Sequence, residues 1–233
     1  MVILSNDHCL AFCTLGDTSW TSLEDYEWIF IPVDLVYSNK DELFYCKHEC
    51  SALHAWNLHN LSSPRRIDIK TGHFYGTPDF PESEKKLRDY SYHCLAFESH
   101  SGDLLLVKRF VGEVADDGTI IDDSDSNSFK THWFVVYRLN TIKRGWNYVT
   151  DLGDGVLFIG GNHAFHLSAN DFVTGVLIHN SIYFNIDYEC YYDMGIYNMQ
   201  DFTVKSIFPS HLHALNNIEH HPPIWFTPNP ENK

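Results

Sequence analysis

Short apolar runs separated by turn chemistry recur every few tens of residues along this chain, and in places they repeat one another's layout. Residues 9–13 make one such run, followed by Leu15-Gly16-Asp17 and then Trp20-Thr-Ser-Leu23. Residues 133–139 make another, followed by Gly145 and Trp146-Asn-Tyr-Val149. A hairpin pattern comes after each, residues 34–37 with 43–45 in the first case and 155–159 with 164–167 in the second. A third unit pairs residues 181–184 with 195–199, and it echoes residues 55–58 at its close. Strand-turn-strand units of this size cannot bury two faces alone, so their repetition predicts sheets stacked as wedges around an axis, a β-propeller. At roughly 40–50 residues per blade, 233 residues hold about five blades or fewer. The expectation is an all-β, propeller-like and incomplete ring of short antiparallel blades, forming one domain over residues 1–233.

The local signals agree. Runs rich in β-branched and aromatic residues fall at 28–33, 43–45, 104–111, 133–139, 156–159 and 181–184, the composition that suits a pleated, half-buried surface. Between them lie Ser38-Asn39-Lys40-Asp41, Ser101-Gly102-Asp103, Asp116-Asp117-Gly118 and Gly160-Gly161-Asn162, residues that tolerate φ > 0 or bond their own backbone. No long window keeps a helical apolar stripe; the best candidate, residues 82–88 after Pro81, is about two turns long. Residues 71–89 and 114–127, rich in charge and poor in apolar side chains, read as exposed loops between strands.

Charge narrows the function classes. Sixteen Lys and Arg against 31 Asp and Glu give a net charge of −15, which argues against a nucleic-acid phosphate backbone as partner. No apolar run approaches the roughly 20 residues of a membrane span. The first residues lack the basic start and apolar stretch of a secretory signal, so the expectation is an intracellular protein, cytoplasmic or nuclear. In that setting the six cysteines at 9, 13, 46, 50, 94 and 190 read as reduced, and Asn60-Leu61-Ser62 reads as a turn.

Reactive constellations are weak. Cys46-Lys-His48-Glu-Cys50, with Cys9 and Cys13, resembles a compact metal-ligand set, but residues four apart on a strand lie some 13 Å apart, and zinc knuckles need a second, similar pair. His211, His213, His220 and His221 sit in a Pro-rich stretch and read as solvated. The aspartates between 116 and 125 do not have calcium-loop spacing. His48-Glu49-Cys50-Ser51-Ala52 misses the zincin pattern at its last position, and no G-x-S-x-G occurs. Asp187 with Glu189, or Asp122 with Asp123, offers paired carboxylates for a glycosidase, with nothing to fix their separation. Trp20 and Trp146, at matching points of the repeat, read as blade-packing residues rather than sugar platforms. The expectation is no enzyme, no cofactor, no metal and no catalytic residue, with the partner-binding residues unknown.

Several stretches together resemble the plant F-box-associated, KIB-type β-propeller family, long catalogued as a domain of unknown function. The central piece is Trp146-x-x-Val149, then Asp151-Leu-Gly-Asp-Gly-Val-Leu-Phe-Ile-Gly160, Asn162-His-Ala-Phe165, Asn180-Ser-Ile-Tyr-Phe184 and Met194-Gly-Ile-Tyr197. Gly16-Asp-x-x-Trp20, Asp34-Leu-Val-Tyr37, Phe134-Val-Val-Tyr-Arg-Leu139 and the closing Pro222-Pro-Ile-Trp-Phe-Thr-Pro228 support it. The resemblance implies a non-enzymatic recognition module like the substrate-binding propeller of F-box ubiquitin-ligase adaptors, with a protein as partner. No leucine- and proline-containing helical segment precedes the strands, so binding to the ligase scaffold is not expected, and a ring lacking its leading part is expected to self-associate when isolated. The alternative is a carbohydrate-binding or carbohydrate-active propeller.

Overall fold

A computed structural model describes residues 2–6, 9–23, 32–48, 52–76, 78, 91–114, 120–121, 129–188, 191–207 and 224–226. They form four sheets, built mainly of antiparallel strands. The first is β1 (Val2–Asn6), β2 (Cys9–Cys13) and β3 (Thr21–Ser22). The second is a meander of β4 (Pro32–Ser38), β5 (Leu43–His48), β6 (Leu53–Asn57) and β7 (Arg65–Ile69). The third joins β8 (His73–Tyr75), β9 (Ser91–Phe97), β10 (Leu104–Val114), β11 (Ile120–Ile121), β12 (Phe129–Asn140) and β13 (Gly145–Val149). The fourth holds β14 (Gly155–Ile159), β15 (Phe165–Ser168), β16 (Ser181–Tyr188), β17 (Tyr191–Asn198) and β18 (Val204–Ser206).

The period-2 alternation of a strand explains how these sheets stack. Along β10, Leu104, Leu106 and Phe110 join a core with Val36, Tyr45, Leu53 and Ala55 of the second sheet. The intervening Leu105 and Val107 join a different core with Leu157, Ile159, Ile182 and Phe184 of the fourth. β12 divides the same way, Trp133, Val135 and Tyr137 to one side, Phe134 and Val136 to the other. The third sheet is therefore buried on both faces, which is why its strands read as nearly continuous apolar runs. Leu10 and Phe12 of β2 pack on Cys46, Trp56 and Leu58 of the second sheet. The order of stacking is first, second, third, fourth. Each buried Leu or Phe in these junctions contributes about 1.5–3 kcal/mol relative to exposure.

The turns place the strand ends. Asn180 adopts φ 52° just before β16. Its side-chain carbonyl accepts from Leu152 N–H at 2.9 Å, and its backbone bonds Gly155 and Met199. This one residue thus fixes the parallel pairing of β14 with β16. Asn60 accepts from Ser62 N–H at 3.1 Å, which makes the expected turn.

Three expectations need correction. The stretch 71–89 is not simply a loop: His73–Tyr75 pairs in parallel with β13, held because Gly145 lets the His73 carbonyl approach closely. Within 114–127, Ile120 and Ile121 pair with the end of β10, the one apolar spot in that acidic stretch. Trp146 is 2% exposed, as a packing residue should be, but Trp20 is 47% exposed, because β3 is only two residues long and offers little sheet to cover it. Residues 82–88, 116–118 and 122–127 lie outside the described residues.

Candidate functional site

The innermost strands of three sheets, β4, β9 and β15, meet along one line. Asp34 on β4 accepts N–H bonds from Leu95 on β9 at 2.5 Å and from its neighbour Leu35 at 2.8 Å. Six residues further along each strand direction, Lys40 Nζ donates to the Ser101 carbonyl at 3.0 Å. On the other side, His166 of β15 accepts from Ser99 N–H at 3.2 Å through Nδ1. The first two pairs advance together in sequence, so β4 and β9 run the same way, and the turns that follow them gather at one end of the sheets.

Between them opens a recess of about 630 Å³. Its walls are Leu35, Val36 and Tyr37 of β4, Phe44 of β5, Phe97 of β9, and His163 to His166 leading into β15. Tyr37 and Phe44 lie with ring centroids 4.7 Å apart, and Tyr45 meets Phe97 edge-on at 5.6 Å. Tyr37 keeps 44% of its surface exposed, so an aromatic face is presented to solvent at the mouth. Rings in this arrangement offer large apolar area together with a partially negative face.

The rim is polar and ordered by its own bonds. Ser38 accepts from Asp41 N–H at 3.1 Å, and Asp41 accepts from the Tyr45 phenol. Burial, with the Asp41 charge beside it, pushes that phenol up to about 12. The next turn closes by Gly102 N–H to the Glu98 carbonyl at 2.9 Å, with Gly102 at φ 69°. Glu98 pairs with Arg138 at 2.8 Å, and Asp103 lies 3.6 Å from Lys40. Asp154 accepts from Ser168 and Asn170 side chains, the Ser168 bond holding its carboxyl below the ordinary value. The rim is thus mixed in charge with carboxylates in excess, Asp41, Glu42, Glu98, Asp103 and Asp154 against Lys40 and Arg138.

The ionisable groups beside the line where these strands meet are tied to structure. Desolvation pushes the Asp34 carboxyl up, opposed by its two backbone N–H bonds. The neighbouring Cys94 thiol is raised by burial and by Asp34. His93 is lowered to about 4 by burial and the cations Lys108 and Lys47. Burial lowers His166 as well, in keeping with Nδ1 acting as acceptor. Asp34 in particular ties β4 to β9 through Oδ2, while its Oδ1 accepts from the adjacent Leu35 N–H.

Of the residues singled out from sequence for metal or acid chemistry, only some lie among the described residues. Cys46 and His48 lie buried on β5, where Cys46 Sγ meets the Lys47 carbonyl and the His48 ring sits 4.6 Å from His54. Among the described residues no three His, Cys, Asp or Glu side chains converge as a metal-ligand set. Cys50, Glu189, Asp122, Asp123, His211, His213, His220 and His221, and the side chains of Cys9 and Asp187, lie outside the described residues. Burial of Trp146 removes one of the two tryptophans a sugar platform would have used. The recess itself escaped the sequence reading, since its walls come from residues 35–44, 97 and 163–166. The local signal was an aromatic on each of these strands, Tyr37, Phe97 and Phe165.

Among the described residues no helix is long and apolar enough to cross a membrane. A family model, the KIB1-4 beta-propeller, matches residues 1–198. Comparison with curated proteins and with solved structures gave no match.

Proposed function

The chain belongs to the KIB1-4 β-propeller family, and from that premise we propose that it is a non-enzymatic protein-recognition module, of the kind that selects substrates in F-box ubiquitin-ligase adaptors. The observation that carries this reading is the open aromatic recess where β4, β9 and β15 meet, ringed by turns on a rigid scaffold. Loops held by a sheet framework are where binding residues concentrate, and apolar walls with a polar rim are the anatomy of a protein interface. The excess of rim carboxylates and the net charge of −15 favour a partner with a basic or mixed surface. The groups beside the recess support a binding role, since Asp34 and His166 are engaged with backbone N–H groups.

Site-specific photo-crosslinking in cell extract tests it. A benzophenone side chain at Tyr37, in the mouth, is expected to capture a protein, with a yield that falls as salt is raised. The same group at Lys130, at the opposite end of β12, is expected to capture none of it. Equal capture at both positions, or labelling of glycan in place of protein, refutes the proposal.

A further inference from the structure

The outer face of the fourth sheet is covered differently from the other faces. At the three junctions between sheets, each core draws side chains from two sheets. On this last face Val156, Phe158 and Tyr183 are buried, with Phe165, Leu167 and Ile196 packed around them, and among the described residues no other sheet contributes. Ala169 and Leu177 pack at it from the adjoining chain, and Trp225 reaches it from further along the sequence.

Its seating is specific. The Trp225 indole N–H donates to the Ile159 carbonyl at 2.9 Å, and Asn162 Nδ2 donates to the Trp225 carbonyl at 2.7 Å. The indole stands edge-on to Phe158, with centroids 5.4 Å apart and planes at 70°. Gly160 makes the space, since a Cβ there would come within 2.9 Å of the indole Cδ1. Asn162 Oδ1 is buried without a partner among the described residues. The neighbours Ile224 and Phe226 stay 64% and 80% exposed, so one side chain anchors the segment. Prolines at 222, 223 and 228 restrict the free peptide and lower the entropy lost on docking.

We propose that the outer face of the fourth sheet, with Gly160, Asn162 and the Ile159 carbonyl as its cradle, is a binding site for a proline-flanked, tryptophan-bearing linear peptide, occupied in cis by residues 224–226. Held by its own chain, this ligand has an effective concentration on the order of mM. A peptide in trans therefore competes poorly with the wild-type tail and well with a tail that lacks the indole.

The test is fluorescence anisotropy with a labelled heptapeptide of residues 222–228, titrated into the full chain. Trp225→Ala is expected to bind it at least about tenfold more tightly than wild type, and a peptide with alanine in place of its tryptophan is expected to lose at least about tenfold in affinity. Should Trp225→Ala fail to fold, as judged by circular dichroism, Trp225→Phe takes its place; it keeps a ring against Phe158 and loses the donor to Ile159. Equal affinity for wild type and variant, or no binding to a folded variant, overturns the proposal.

Discussion

Replacing Asp193 with alanine removes the acceptor at the centre of the tie between the third and fourth sheets. One carboxylate oxygen, Oδ2, receives Arg109 Nη2 at 2.9 Å, Thr131 N–H at 2.6 Å and Thr131 Oγ1 at 2.5 Å. Arg109 also donates from Nε to Thr131 Oγ1 at 2.7 Å. The Arg109 and Asp193 side chains are only 5% and 15% exposed, so water cannot replace the lost partner cheaply. A buried N–H left without an acceptor costs about 1–3 kcal/mol, and removing one member of a buried ion pair costs about 3–5 kcal/mol. The two overlap at the same oxygen and do not add, so the expected loss is about 3–5 kcal/mol, a large share of the stability of a domain this size. Urea unfolding followed by tryptophan fluorescence reads it as a lower midpoint at constant slope. Arg109→Met introduced beside Asp193→Leu is expected to recover much of the loss, because it removes the stranded charge along with its partner. A loss under about 1 kcal/mol for Asp193→Ala would place the pair in the solvent-screened class and refute the tie.

Three further outcomes follow from the same geometry. His93, held near 4 against its ordinary 6.5, favours the fold in its neutral form. Its contribution is complete above pH 6.5 and is lost as pH falls toward 4, by up to about 3 kcal/mol. Asp34, pushed up, acts in the opposite sense, so His93→Gln is expected to flatten the acid side of a stability-versus-pH curve, and an unchanged curve contradicts the assignment. Gly145→Ala drives a methyl group into the His73 carbonyl and Tyr75 ring; thermal melts are expected to show a loss of about 1–3 kcal/mol, and an unaltered melt would mean β8 does not pair where described. Lys40→Ala is expected to cost less than about 1 kcal/mol in urea unfolding, because the Lys40 and Asp103 side chains are 57% and 40% exposed, and a larger cost contradicts that weak, screened contact.

Much of this was legible because local chemistry and fold agree. The runs at 104–111 and 133–139 are apolar on both faces and became the central sheet, while Gly16, Gly102 and the Ser38–Asp41 segment became turns. The pairs 34–37 with 43–45, 155–159 with 164–167, and 181–184 with 195–199 each became antiparallel partners. β8 stayed hidden because its three residues are exposed and its pairing is parallel and distant, so no periodicity marks it. Trp20 was misread because the repeat gives it the place of Trp146 while its strand is too short to bury it. The docking recess and the Arg109–Asp193 tie join residues 60 to 130 positions apart along the sequence, a proximity that only the stacking of sheets creates. Trp225 was visible as part of a motif, yet its receptor, the face around Phe158 and Gly160, is defined only once the fourth sheet exists.

Turns from separate sheets meet at one rim, and a zero-length carbodiimide crosslink examines that meeting directly. Lys40 Nζ and Asp103 Oδ1 stand 3.6 Å apart although the second and third sheets contribute them separately. Peptide mapping of the crosslinked full chain should recover the Lys40–Asp103 amide at low protein concentration, where bonds form within one molecule. Recovery of Lys40 joined only to other sites, or left unmodified while surface lysines react, would mean that β4 and β9 do not converge and that the recess between them is not formed.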